Sequence, residues 1–186
     1  PAVVMLPSCE GRKPYHQSWA QALSERGYVA LVVDDYFMHD RGRSCGIGDP
    51  AAEAESLRMR LRHALGAARY LSGRPEVDRG RMAVMGWGDA PVGALVGGAR
   101  GIEQPYGELF KAAVAVTPES CYGRGPSSSR PVLVLRAESD AGGSGDSCDA
   151  PADTSALEVR VYAGTLPGFD DPQAALAGGS ASGRPG

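Results

Sequence analysis

Six short apolar runs alternate with longer stretches of helical periodicity along this chain, and that alternation restricts it to few architectures. The runs are Ala2–Leu6 (AVVML), Tyr28–Val33 (YVALVV), Arg81–Trp87 (RMAVMGW), Lys111–Val116 (KAAVAV), Pro131–Leu135 (PVLVL) and Leu157–Tyr162 (LEVRVY). Continuous rather than alternating apolar character marks strands buried on both faces, as in a parallel sheet. Only Leu157–Tyr162 alternates, which predicts an edge strand. Between the runs, His16–Arg26 carries Trp19, Ala22 and Leu23 at helical spacing and stops at Gly27. A second helix is predicted from the cap Asp49 and Pro50 to about Ser72, with Leu57, Leu61, Leu65, Ala68 and Leu71 on one face. Asp89-Ala90-Pro91 opens a third, small-residue helix toward Gly98. The expectation is an α/β three-layer sandwich around a mostly parallel sheet of about six strands.

At 186 residues the chain fits one domain. The expected domain spans residues 1–172, followed by a disordered Gly/Ser-rich tail at 173–186. With 19 basic against 22 acidic residues there is no basic excess to neutralise phosphates, which argues against nucleic acid as a partner. No apolar run approaches a membrane span, so no membrane partner is expected. In open α/β sheets chemistry sits beyond the carboxyl ends of the strands. The residues to inspect therefore follow positions 6, 34, 87, 117, 136 and 162.

Those strand ends resemble the dienelactone hydrolase family of α/β-hydrolases. GYVALVVDDYFMHDRGRSCG (Gly27–Gly46) is similar to the family's second strand and the loop behind it. PAVVMLPSCEG (Pro1–Gly11) resembles its first strand and oxyanion loop, and PEVDRGRMAVMGWGDAPVG (Pro75–Gly93) the approach to its nucleophile elbow. PVLVLRAESD (Pro131–Asp140) resembles the strand leading to the catalytic acid, and VYAGTLPGFDDP (Val161–Pro172) the segment carrying the catalytic histidine. The resemblance and the βα alternation together imply a single parallel sheet in the order second, first, third, fourth, fifth, sixth, with helices on both faces.

The departures from the family pattern bear directly on chemistry. The elbow reads Gly86-Trp87-Gly88-Asp89-Ala90, so Gly88 stands where the nucleophile would be. Pro167 takes the place of the histidine and Pro7 that of the oxyanion-loop histidine; Asp140 alone keeps the acid position. Acyl transfer needs an oxygen or sulfur nucleophile and a base for its proton. The implied protein is therefore non-hydrolytic. It is either a small-molecule-binding pseudoenzyme or a cofactor-independent lyase, isomerase or cyclase.

Proton-transfer groups would be Asp140, His39 and His16, the last expected at the pocket mouth. Ser8, Cys9, Tyr36, Trp87, Gly88 and Asp89 would form the ligand-binding set. Backbone amides at Asp89 and near Ser8 would hold a carbonyl or carboxylate oxygen. Each has a plainer reading: Asp89 as a helix cap, Trp87 and Tyr36 as wall or core, and the histidines as surface hydrogen-bonders. His63, offset from the leucine stripe, reads as a solvated helix position. No metal motif and no cofactor fingerprint is present, so neither is expected. The alternative is an ester or lactone hydrolase with a relocated nucleophile, Cys9 or Ser8.

The four cysteines lack CxxC spacing, which argues against a zinc cluster. In the implied fold, bridges Cys9–Cys45 and Cys121–Cys148 join loops behind neighbouring strands and would place the protein in an oxidising compartment. Four free thiols in a cytosolic protein is the other reading. The sequence leaves the oligomeric state open.

Overall fold

The structure is a computed structural model, in which residues 1–34, 49–88, 90, 109–118, 130–139, 157–166 and 168–171 are described. Their elements are β1 (Ala2–Leu6), α1 (Pro14–Ser24), β2 (Val29–Val32), α2 (Pro50–Ser72), β3 (Met82–Trp87), β4 (Ala112–Val116), β5 (Val132–Ala137) and β6 (Leu157–Tyr162). The six strands form one sheet in the order β2-β1-β3-β4-β5-β6, and every neighbouring pair is parallel. This is the order implied by the sequence. β3 lies inside the sheet, in register with both β1 and β4.

Side chains alternate across the strands, so the sheet has two cores. On one face Val4, Leu6, Met82, Val84, Ala113 and Val134 pack with Leu61, Ala64, Leu65, Ala68 and Leu71 of α2. On the other, Val3, Met5, Met85, Trp87, Val116 and Leu135 pack with Ala20 of α1 and, at the edge, with Trp19 and Leu23. The three-layer sandwich follows from this division.

Several boundaries differ from the sequence reading. α1 begins two residues earlier than expected, because Pro14 at its first position has the φ a helix needs and no N–H to satisfy. It ends before Gly27, whose φ of +80° turns the chain into β2. Leu57 is 44% exposed and falls off the buried stripe of α2; Ala64 takes the inward place. The cap of α2 is as read, with Asp49 accepting the Ala51 N–H at 3.1 Å. β5 runs on to Ala137, two residues beyond the apolar run, because buried Arg136 still pairs with β6. The expected helix toward Gly98 and the tail at 173–186 lie outside the described residues.

Candidate functional site

The carboxyl ends of β1, β3, β5 and β6 meet the start of α1 at one edge of the sheet. Four local structures build the site there.

The first is the turn after β3. Gly88 has φ +56°, its N–H donates to the Val116 carbonyl at 3.1 Å, and the Ala90 N–H closes back on Trp87 O at 3.0 Å. The left-handed conformation is costly for a residue with a Cβ and open to glycine. A sharp strand-to-turn elbow is therefore present, with no side chain at its apex.

The second is the loop after β1. Gly11, at φ +77°, donates to Ser8 O at 2.9 Å, and the Ser8 hydroxyl accepts the Glu10 N–H at 3.4 Å. Cys9 is buried and disulfide-bonded; its partner lies outside the described residues, as do Cys45, Cys121 and Cys148. Beneath this loop the buried Arg60 of α2 donates from Nη2 to the Pro7 carbonyl. A guanidinium needs hydrogen-bond acceptors to be buried, and the strand-end carbonyl supplies one.

The third is the aromatic cluster at the start of α1. Lys13 caps the helix and His16 occupies its third position. The Lys13 N–H donates to His16 Nδ1 at 2.8 Å, the service a glutamate or glutamine gives in a capping box. With Nδ1 accepting that N–H, the proton of a neutral imidazole is on Nε2, which is buried without a hydrogen-bond partner among the described residues. His16 is 0% exposed, and its ring stands edge-on to Trp87 with centroids 4.6 Å apart and 4.2 Å from the Tyr15 ring. Burial lowers its pKa to about 4, against the upward pull of the Lys13 carbonyl, 3.2 Å from Nδ1, and of Asp171. His16, expected at the pocket mouth, is fully buried at this edge of the sheet, between Tyr15 and Trp87. The same desolvation raises the Tyr15 pKa well above the usual phenol value, helped by the charges of Asp170, Asp171 and Glu10.

The fourth is the segment after β6. Asp170 Oδ2 accepts both indole N–H groups, Trp87 Nε1 at 2.6 Å and Trp19 Nε1 at 3.1 Å. One carboxylate thus ties the 168–171 turn to β3 and to α1. Phe169 joins the same core and stacks on Tyr162 at 4.8 Å. The segment is also fastened to the end of β5. Ser139 donates to the Thr165 carbonyl from its N–H at 3.3 Å and from Oγ at 3.1 Å, and Gly164 N–H donates to Glu138 Oε2 at 2.7 Å.

Of the residues expected at the site, Ser8, Cys9, His16, Trp87 and Gly88 are at this edge. Asp140, His39, Tyr36, Asp89 and Pro167 lie outside the described residues. The neighbours of positions 140 and 167 are nevertheless bonded to each other through Ser139 and Thr165, and position 88 is joined to the same segment through Trp87 and Asp170. Sequence reasoning missed Asp170, Arg60 and Tyr15. It also missed Thr117 at the end of β4, a β-branched residue held at φ +42°. A DD pair in a loop and an arginine beside a leucine stripe carry no distinguishing pattern. Among the described residues no three His, Cys, Asp or Glu side chains come together as a metal site.

No protein-family profile and no curated protein sequence matches the chain. Solved structures do. A dienelactone-hydrolase-like promiscuous phosphotriesterase from metagenomic libraries is 20% identical, with a TM-score of 0.60 over 96% of this chain and 76% of its own. A protein of Klebsiella pneumoniae subsp. pneumoniae described as a dienelactone hydrolase is 19% identical, with a TM-score of 0.58 over 91% of this chain and 76% of its own. An acetyl xylan esterase from Paenibacillus sp. R4 is 16% identical, with a TM-score of 0.56 over 96% and 74%. The likeness establishes the fold alone: an α/β-hydrolase sheet.

Proposed function

We propose that this chain, built on the dienelactone-hydrolase fold, is a non-hydrolytic protein that binds a small molecule bearing a carbonyl or carboxylate. The observation that carries the reading is Gly88: an elbow with φ +56° at the end of an interior strand, and nothing on its apex to attack a carbonyl. Proline at position 167, where the resemblance places the histidine, removes the base as well. Nucleophile and base act as a unit, and loss of either takes most of the rate. Fold alone does not confer the hydrolytic activity of the neighbours.

Two observations weigh against the alternative of a relocated nucleophile at Cys9 or Ser8. A disulfide-bonded Cys9 has no thiolate to offer. Ser8 Oγ is engaged by the Glu10 N–H, and among the described residues no imidazole or carboxylate bonds it. Asp140 and His39 are the groups on which an acid–base activity would rest.

The test has two arms. The purified protein is assayed against activated esters and lactones and exposed to a fluorophosphonate probe; no turnover and no labelling are expected. Thermal shift against carboxylates, lactones and keto acids then seeks a ligand that raises Tm. Ester turnover abolished by Ser8→Ala would overturn the reading.

A further inference from the structure

β6 is an edge of the sheet among the described residues, none of whose strands pairs with its outward backbone groups. Leu157 belongs to the α2-side core, whereas Tyr162 stacks on Phe169 of the α1-side core. Alternation then puts Leu157, Val159 and Val161 on one face and Glu158, Arg160 and Tyr162 on the other. Val159 is 37% and Val161 54% exposed, and Leu166 just beyond the strand is 60% exposed. Proteins guard such edges with proline, with bulges or with an unbalanced lysine. This strand has none of these: its two charges, Glu158 and Arg160, neutralise each other at 2.7 Å.

We propose that β6 pairs antiparallel with β6 of a second copy of this chain, making one sheet continuous across a two-fold axis. This goes beyond the proposed ligand binding and does not depend on it. The register follows from the sequence. With Val159 opposite its own copy, Glu158 faces the second copy's Arg160, and Arg160 faces its Glu158. Leu157 faces Val161 on the opposite side of the sheet. Every position from 157 to 161 meets a partner of matching character, and the charge pattern of the strand is complementary to itself. A two-fold interface requires this self-complementarity. The other antiparallel registers that keep apolar residues opposite apolar ones, centred on residue 158 or on residue 160, set Glu158 against Glu158 or Arg160 against Arg160. Like charges directly opposite are unfavourable, so the strand selects a single register.

Sedimentation equilibrium across the micromolar range tests the proposal, and a reversible monomer–dimer equilibrium is expected. Glu158→Arg alone, or Arg160→Glu alone, sets like charges opposite each other at two places and should raise the dimer Kd about tenfold or more. The double variant Glu158→Arg/Arg160→Glu restores complementarity and should return Kd to near the parent value. These side chains are exposed, so folding is checked by circular dichroism and melting. Val161→Lys, which seats a charge against Leu157, gives an independent route to the monomer. A parent that stays monomeric throughout overturns the proposal, whether its own chain or nothing covers β6. A dimer indifferent to the single reversals, or not recovered by the double one, also overturns it.

Discussion

Acidification isolates what the burial of His16 contributes to stability. The folded pKa of about 4 lies below the ordinary 6.5, so between these values the unfolded chain binds the extra proton. Stability is therefore whole above about pH 6.5 and falls as the pH drops toward 4, after which the His16 contribution to the slope ends. At 1.36 kcal/mol per pKa unit the loss is about 1 kcal/mol by about pH 5.5 and about 2–3 kcal/mol by about pH 4.5. Carboxylates titrate in the same window, so the measurement is a difference. His16→Gln keeps an acceptor at the third helical position for the Lys13 N–H but cannot ionise. Urea melts of parent and variant between neutral pH and about pH 4.5 should show the gap between their stabilities closing by about 2–3 kcal/mol on acidification. Parallel pH profiles, or an NMR titration placing the His16 imidazole at its ordinary value, would refute the reasoning.

Three further outcomes follow from the same edge of the sheet. Asp170→Ala leaves the buried Trp87 indole N–H without its acceptor and should cost about 2–3 kcal/mol in chemical denaturation, with a changed tryptophan emission; an unchanged midpoint counts against the double indole bond. Thr117→Gly removes a side chain from a left-handed position and should raise stability by up to about 1 kcal/mol; a lower Tm means that contacts of the threonine outweigh the strain. Non-reducing peptide mapping should find Cys9 in a disulfide; if Cys45 is the partner, reduction should cost roughly 3–4 kcal/mol by the chain-entropy account, and a free Cys9 thiol rejects the bridge.

The fold was legible because the information needed is local and periodic. Continuous apolar runs such as Ala2–Leu6 and Val132–Leu135 can be buried only on two faces at once, and α2 announces itself through Asp49, Pro50 and the stripe from Leu61 to Leu71. LEVRVY declared its edge position by alternating, and every residue of β6 after Leu157 is exposed. Boundaries were less legible where tertiary pairing overrode composition. Arg136 reads as the end of an apolar run, yet the ladder with β6 carries it into β5. Leu57 obeys the helical period, but α2 extends beyond the core at its first turns, and periodicity alone does not say where a helix leaves its neighbour.

The site was legible only where backbone demands a residue type. Gly88 could be singled out because an elbow requires φ above zero and the flanking pattern located the elbow; the observed +56° is that requirement. His16 shows the opposite case. A histidine beyond the first strand carries the same sequence signal whether it faces a ligand or fills a cap; its place here is set by a 2.8 Å bond to Lys13 N–H and a Trp87 ring at 4.6 Å. Asp170 is 83 positions from Trp87 and 151 from Trp19, separations at which no pattern in one chain reveals a partner. Yet this carboxylate sets the site's geometry. It holds the 168–171 turn against the end of β3, whose last residue, Trp87, leads into Gly88. Under the proposed reading, a frame that keeps the sheet, the elbow and the indole–carboxylate tie but carries no side chain at position 88 would keep a geometry for holding a ligand and lack the group that attacks one.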